Sequence, residues 1–280
     1  MNVPVAPTLP PSVDLGSING PVLICGGANS NLEAFNAMLA EADRRGIGPS
    51  HIIHTGDVVA YCADPVATAE ALRSSGIHAI KGNVEMQLAQ GGEDCGCGFG
   101  EGSVCSVLSG AWYGYARSAL SPELCRWMGS LPEALTLRLG GRRLRVIHGG
   151  VSKINRYVFA SLPDDIFNDE LDTAGTDVAV GGHCGLPFTK TLGNRQWHNS
   201  GALGLPANDG TPRVWVSVLQ ESGDGIRFEH VPLTYDHKRA ARKMRERGLP
   251  DGYAQALETG LWPSLDILPP RERGLTGIPF

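Results

Sequence analysis

The chain has 280 residues, 42% of them apolar and 19% charged, with a formal net charge of −5 and a pI near 5.9. That balance suits a globular protein with a sizeable core, and it excludes the basic field that would draw a nucleic-acid backbone or an anionic membrane surface. No apolar run approaches the roughly 18–20 residues that cross a bilayer, and the first residues lack the charged start and apolar stretch of a signal peptide, so a soluble cytoplasmic chain is expected.

Residues 1–19, with four prolines, read as an extended arm outside the core. The fold begins with PVLIC (21–25), a strand stopped by two glycines, followed by a helix over 31–46 with apolar residues at helical spacing. HIIHTGD (51–57) repeats the pattern as a strand running into a loop, then a helix over 64–76 closed by glycine, then a third strand, IHAIKGN (77–83). Strands alternating with helices predict a largely parallel sheet covered on both faces.

A glycine- and cysteine-rich insertion (91–105) interrupts that rhythm, and helices near 106–118 and 122–130 follow. Residues 135–150 read as a hairpin with a Gly-Gly turn, and 178–183, 188–201, 213–219 and 226–233 as further strands. The expected fold class is therefore α/β, with two mixed sheets packed face to face, helices outside, and one domain over 20–235. A basic amphipathic helix (237–248), read as a solvated face, and a Pro-rich tail (263–280), expected to pack loosely, complete a C-terminal segment, 236–280, packed on that domain.

Seven cysteines, at 25, 62, 95, 97, 105, 125 and 184, are an odd number, so a disulfide framework is not expected and they read as thiols, core residues or metal ligands.

Polar residues directly after apolar strands are where an open α/β sheet places its ligands, because the loops at strand ends converge in one crevice. Four such loops stand out: Gly56-Asp57, Gly82-Asn83, His148-Gly149-Gly150 and Gly181-Gly182-His183. Singly, Asp57 and Asn83 are turn residues and the histidines are hydrogen-bonded core residues. As an ordered set of one carboxylate, one amide oxygen and two imidazoles they suit a divalent ion such as Mn, Fe, Zn or Ni better than Ca or Mg.

The order GD, GN, HGG, GGH resembles the calcineurin-like metallophosphoesterases, the small bacterial type with a GH-x-H loop and an N-P-G-S loop near the end, over about residues 20–235. The resemblance rests on VLICGGANSNLEA (22–34), GDVVAYCADP (56–65), GNVE (82–85), HGG (148–150), GGHCGLPF (181–188) and HNSGALGLP (198–206). It implies a four-layer αββα fold and a pair of metals bridged by the Asp of the GD motif. Carried over, Asp57 matches that bridge and Asn83, His148 and His183 complete one of the two sites. It also casts Asp57, Asn83 and His148 in catalysis, and Asn29, Asn199 and Gly150 in contact with phosphate or substrate.

The second site normally takes D-x-H after the first strand and the second histidine of GH-x-H, and those positions read Gly27, Asn29 and Gly185. Joint loss of three exclusive ligands resembles removal of a whole site. Val84 also stands where a general-acid histidine often follows the GN asparagine. One site remains expected, and a single Zn-like ion can still bring the pKa of a bound water towards roughly 7.

The leading expectation is a phosphoesterase that hydrolyses a phosphomonoester or phosphodiester with a metal-oriented water. A catalytically weak or inactive binder of metal or phosphate is the alternative, and a homo-oligomer stays open. A third reading has Cys62, Cys95, Cys97 and Cys184 rebuilding a softer second metal site, since thiolates from the loops of the cleft favour Zn, Fe or Cu(I). C-x-C alone is a weak motif, and buried cysteine is commonly a small hydrophobe.

Overall fold

The computed structural model of the protein describes residues 9–223 and 225–280. In chain order its strands are β1 (Ser12–Ser17), β2 (Val22–Cys25), β3 (Ile52–His54), β4 (His78–Ala79), β5 (Ala134–Leu139), β6 (Arg142–Val146), β7 (Val178–Gly181), β8 (Pro187–Leu192), β9 (Arg195–Ser200), β10 (Val214–Ser222) and β11 (Gly225–Leu233). The helices are α1 (Leu32–Arg44), α2 (Pro65–Ser75), α3 (Asn83–Gln90), α4 (Val104–Ala119), α5 (Pro122–Ser130), α6 (Asp164–Ala174), α7 (His237–Glu246), α8 (Asp251–Thr259) and α9 (Pro270–Gly274).

Both sheets are mixed. One runs β1-β5-β6-β7-β9-β8, and the other runs β11-β10-β2-β3-β4. Side chains alternate across each strand, and both faces of each sheet are covered, which is why the central strands read as unbroken apolar runs. In β2, Val22 and Ile24 face the other sheet and meet Ile53, Leu135, Leu144 and Val180, while Leu23 and Cys25 face Phe35 and Met38 of α1. On the far side, Ala179 and Trp197 pack on Phe167 and Leu171 of α6. The architecture is α/β, in four αββα layers.

Local chemistry sets the element ends. The Asn31 side chain accepts from the Ala34 amide and caps α1, and Gly76 closes α2 in the left-handed region at φ +73°. Gly140 and Gly141, at φ +54° and +72°, make the two-residue turn between β5 and β6 that strand twist favours.

Four features differ from the sequence reading. Of the 1–19 arm, residues 1–8 lie outside the described residues, but Ser12–Ser17 joins a sheet as an edge strand beside β5, with a register shift between Asp14 and Ser17, and Ile18 is buried in the core between the sheets. The third strand is only His78–Ala79, and Asn83 opens α3, because the GN turn starts a helix rather than ending a strand. The tail from Pro263 packs closely rather than loosely, with Leu268 buried and Glu272 taking hydrogen bonds from the Ser161 amide and hydroxyl. Nor is α7 merely solvated: Ala240, Ala241 and Met244 are buried, and Lys243 pairs at 2.6 Å with both Glu33 and Asp64.

No helix among the described residues is long and apolar enough to cross a membrane. Ile53 sits fully buried between the sheets beneath the GD loop. Ile53→Ala should therefore cost about 2–5 kcal/mol through lost burial and an unfilled cavity, read as a lowered midpoint in urea unfolding.

Candidate metal centre

Five loops leave the carboxyl ends of β2, β3, β4, β6 and β7, three from one sheet and two from the other, and meet in one crevice. Close approach needs glycine. At Gly56, φ +93°, a Cβ would lie 2.6 Å from the Gly82 nitrogen and 2.9 Å from His148 Nδ1. At Gly82 a Cβ would lie 2.2 Å from Asp57 Oδ1.

His148 Nε2 is the centre of the cluster. It lies 2.9 Å from Asn83 Oδ1, 3.0 Å from His183 Nδ1 and 3.2 Å from Asp57 Oδ2. His148 Nδ1 is 2.7 Å from the Thr55 carbonyl, which can only accept, so Nδ1 carries a proton and neutral His148 presents its Nε2 lone pair to the cluster. The Asn83 amide nitrogen donates to the Cys95 carbonyl at 2.8 Å, which aims its oxygen inward. His183 Nε2 is buried with no hydrogen-bond partner. Asp57, His148 and His183 form a group of one carboxylate and two imidazoles spaced to hold a metal, with ligand atoms within 4.8 Å of one another.

The electrostatics agree. Burial pushes the Asp57 carboxyl up, but His148 and His183 more than reverse this and hold it below its ordinary value. Burial pushes His148 down, yet the Asp57 carboxylate more than offsets that, so His148 ends above its ordinary value. Burial and the neighbouring His148 push His183 down to about 3. A cluster of inward lone pairs around one carboxylate needs a cation, either a proton on His148 or a divalent ion, and the N/O donor set fits a transition metal.

Behind it stands Glu85, which sequence reasoning missed. Its Oε2 accepts from the Asp57 and Gly82 amides, both at 2.7 Å, and so holds the GD and GN loops together. The available signal was its position one helical turn into GNVE. His54 does related work: buried, with its pKa pushed down to about 3 by burial, it lies 3.2 Å from both the Ala28 and the Gly56 amides.

The other expected residues divide. Asn29, in the left-handed region at φ +52°, lines the cavity beside Asp57. Gly150 does not reach it, because its amide is donated to the Lys153 carbonyl and its Cα faces Arg156. Asn199 spends its side chain internally, donating to Cys184 Sγ at 3.2 Å and accepting from the Gly201 amide at 3.0 Å.

The soft-metal reading is not supported by the geometry. Cys95 and Cys97 are joined to each other in a disulfide, a pairing the sequence reading did not expect. Cys62 points to the Gly204 carbonyl with its thiol pushed up by burial, and Cys184, pushed up to about 12 by burial, faces the Leu186 carbonyl.

The positions that would serve a second metal hold other things. Gly185, at φ +72°, faces the Trp262 ring, with ring carbons 3.6 and 3.7 Å from where a Cβ would sit. Trp262 is fixed by its amide, which donates to Asn208 Oδ1, and by Nε1, which donates to the Pro206 carbonyl at 2.7 Å. Trp262 and Ile267, from the segment after α8, wall a half-enclosed cavity of about 70 Å³ over the cluster.

A family model, the calcineurin-like phosphoesterase superfamily domain, matches residues 30–222. The chain belongs to this superfamily. Among curated proteins, the uncharacterized protein MJ0912 of Methanocaldococcus jannaschii is 25% identical over 256 residues, spanning 85% of this chain and 98% of its own length. Among solved structures, the hypothetical protein PH1004 from Pyrococcus horikoshii OT3 superposes with a TM-score of 0.71 at 16% identity, over 86% of this chain and 99% of that one. A metallophosphoesterase from Sphaerobacter thermophilus superposes with a TM-score of 0.67 at 21% identity, over 87% of this chain and all of that one. At these identities the two structures speak for the fold.

Two outcomes follow for this phosphoesterase domain. Glu85→Ala strands two buried amides and should cost at least about 2 kcal/mol in urea unfolding at pH 8, whereas Glu85→Gln, whose amide oxygen can take both, should cost less. Unfolded histidines titrate near 6.5, so from there down to about 3 the unfolded chain binds protons that folded His54 and His183 refuse. Stability of chelator-treated protein should thus fall as pH falls, by up to about 1.4 kcal/mol per pH unit for each histidine. Melting temperatures between pH 7 and 4 check this, and His54→Gln should flatten the slope.

Proposed function

We propose that the chain is a mononuclear, metal-dependent phosphoesterase in which Asp57, Asn83, His148 and His183 hold one divalent transition metal, Mn, Fe, Zn or Ni. The observation that carries this is the convergence of the Asn83 and Asp57 oxygens and a His183 ring nitrogen within 3.2 Å of His148 Nε2, in a chain of this superfamily.

An ion held there supplies Lewis acidity and draws the pKa of a coordinated water down towards roughly 7, with one ion giving less help than a pair. The chain's own residues prepare the site. Thr55 keeps the His148 lone pair inward, the Cys95 carbonyl keeps the Asn83 oxygen inward, and Glu85 holds the Asp57 backbone. Tyr157, its ring centroid 4.3 Å from that of His183, and Trp262 limit entry of bulk water, which strengthens every charge interaction inside. Catalysis uses Asp57, Asn83 and His148, and Asn29, which lines the cavity with Asp57, touches a phosphoryl oxygen. The substrate is a small phosphoester.

The loss of ligands at Gly27, Asn29 and Gly185 favours a second reading, a binder of metal and phosphate with little or no turnover. Protein purified without chelators or a nickel column should carry about one equivalent of transition metal, lost in Asp57→Ala and in His183→Ala. With that metal restored, hydrolysis of aryl phosphates above the Asp57→Ala blank supports the enzyme. Metal without turnover leaves the binder, and no metal after reconstitution removes both.

A further inference from the structure

The cavity over the metal cluster is short of positive charge. Among the described residues no Lys or Arg lines it, and its one carboxylate is Asp57. The residues outside the described set add none, since 1–8 contain no Lys or Arg and residue 224 is Asp. Arg156, on the loop after His148, pairs with Glu170 at 2.5 Å, and Lys243 pairs with Glu33 and Asp64. What lines the space is aromatic, with Tyr61, Phe99, Tyr157, Tyr253 and Trp262 all on its wall. Tyr61 is held there in the left-handed region at φ +40°, a conformation that costs a non-glycine residue energy and persists only where its surroundings enforce it. Its ring packs at 4.7 Å from Tyr253 and 4.9 Å from Trp112.

Charge counting then discriminates between esters. A divalent ion offset by Asp57 leaves at most one net positive charge, with both imidazoles neutral, and the buried Glu85 carboxylate behind Asp57 reduces it further. A phosphodiester adds a single negative charge to that site. A phosphomonoester above its second pKa of about 6 is doubly negative. It would leave an unpaired negative charge among aromatic walls, where an uncompensated charge is strongly disfavoured.

We infer that this site selects monoanionic phosphodiesters bearing an apolar or aromatic ester group over dianionic phosphomonoesters, because the cavity wall supplies aromatic surface and no cationic side chain. The inference rests on the phosphoesterase reading above, and the test separates the two.

The full-length protein loaded with Mn(II) is given bis(4-nitrophenyl) phosphate and 4-nitrophenyl phosphate at pH 8, with Asp57→Ala as the blank. Calorimetric binding of phenyl methylphosphonate, a monoanion, and phenylphosphonate at pH 8.5, largely a dianion, gives a readout independent of turnover. The expected result is a preference of at least about tenfold, equivalent to 1.4 kcal/mol, for the diester in kcat/KM and for the monoanion in affinity. Phe99→Lys, which adds a cation to the wall, should narrow both preferences about tenfold, with Ile267→Lys as a second variant if the first does not fold. Equal or better use of the monoester, or equal or tighter binding of the dianion, overturns the selectivity while leaving the phosphoesterase standing. Rates equal to the blank with the binding preference intact remove the enzyme reading and keep the selectivity. Rates equal to the blank with no binding of either phosphonate remove both.

Discussion

The hydrogen bond between His148 Nδ1 and the Thr55 carbonyl, 2.7 Å long and fully buried, is the interaction on which the site depends. His148 follows β6 in one sheet and Thr55 follows β3 in the other, so the bond crosses the interface between the layers. It also decides chemistry: by fixing the tautomer it points the Nε2 lone pair at two acceptor oxygens and a ring nitrogen of His183. A tight core between the sheets is what keeps that bond short, since Val22, Ile24, Ile53, Val146 and Val180 set the spacing of the layers from which both partners emerge. Core packing and site electrostatics are thus one problem.

The cleft is lopsided. On the His148 side, Glu85 holds the Asp57 amide, the Cys95 carbonyl the Asn83 amide and the Thr55 carbonyl His148 Nδ1. On the Gly185 side, the tryptophan after α8 fills space beside a left-handed glycine, and its own polar atoms are satisfied by Pro206 and Asn208. An imidazole at residue 185 would have to displace an anchored indole. Gly185 and the C-terminal wall are therefore coupled physically, since any side chain added at residue 185 meets the Trp262 ring.

Much of this was legible in the sequence because the chemistry sits in short loops after apolar runs. Asp57, Asn83, His148 and His183 each follow a strand and stand next to a glycine, and strand-end loops of both sheets converge. Residues whose role depends on tertiary partners were not legible. Gly150 shares a motif with His148, yet a local turn to Lys153 consumes its amide. Asn199 looked like a pocket residue but braces Cys184. Glu85 reads as an ordinary first-turn acid until the fold brings two amides from the neighbouring loop and turn to it. The strand at Ser12–Ser17 escaped notice because the nearby prolines and its exposed polar residues give it no periodic apolar signature, and only pairing with β5 makes it a strand.

That strand has a consequence for behaviour in a crowded solution. The open edge of a sheet invites a strand from another molecule, and β5 would present such an edge if β1 were absent. What β1 offers in its place is a poor template. The register breaks between Asp14 and Ser17, Gly16 turns left-handed at φ +71° with its amide taken by the Asp14 carboxylate, and the strand is mostly exposed and carries a charge. An irregular, charged rim of this kind ends the sheet and discourages aggregation by edge-to-edge pairing.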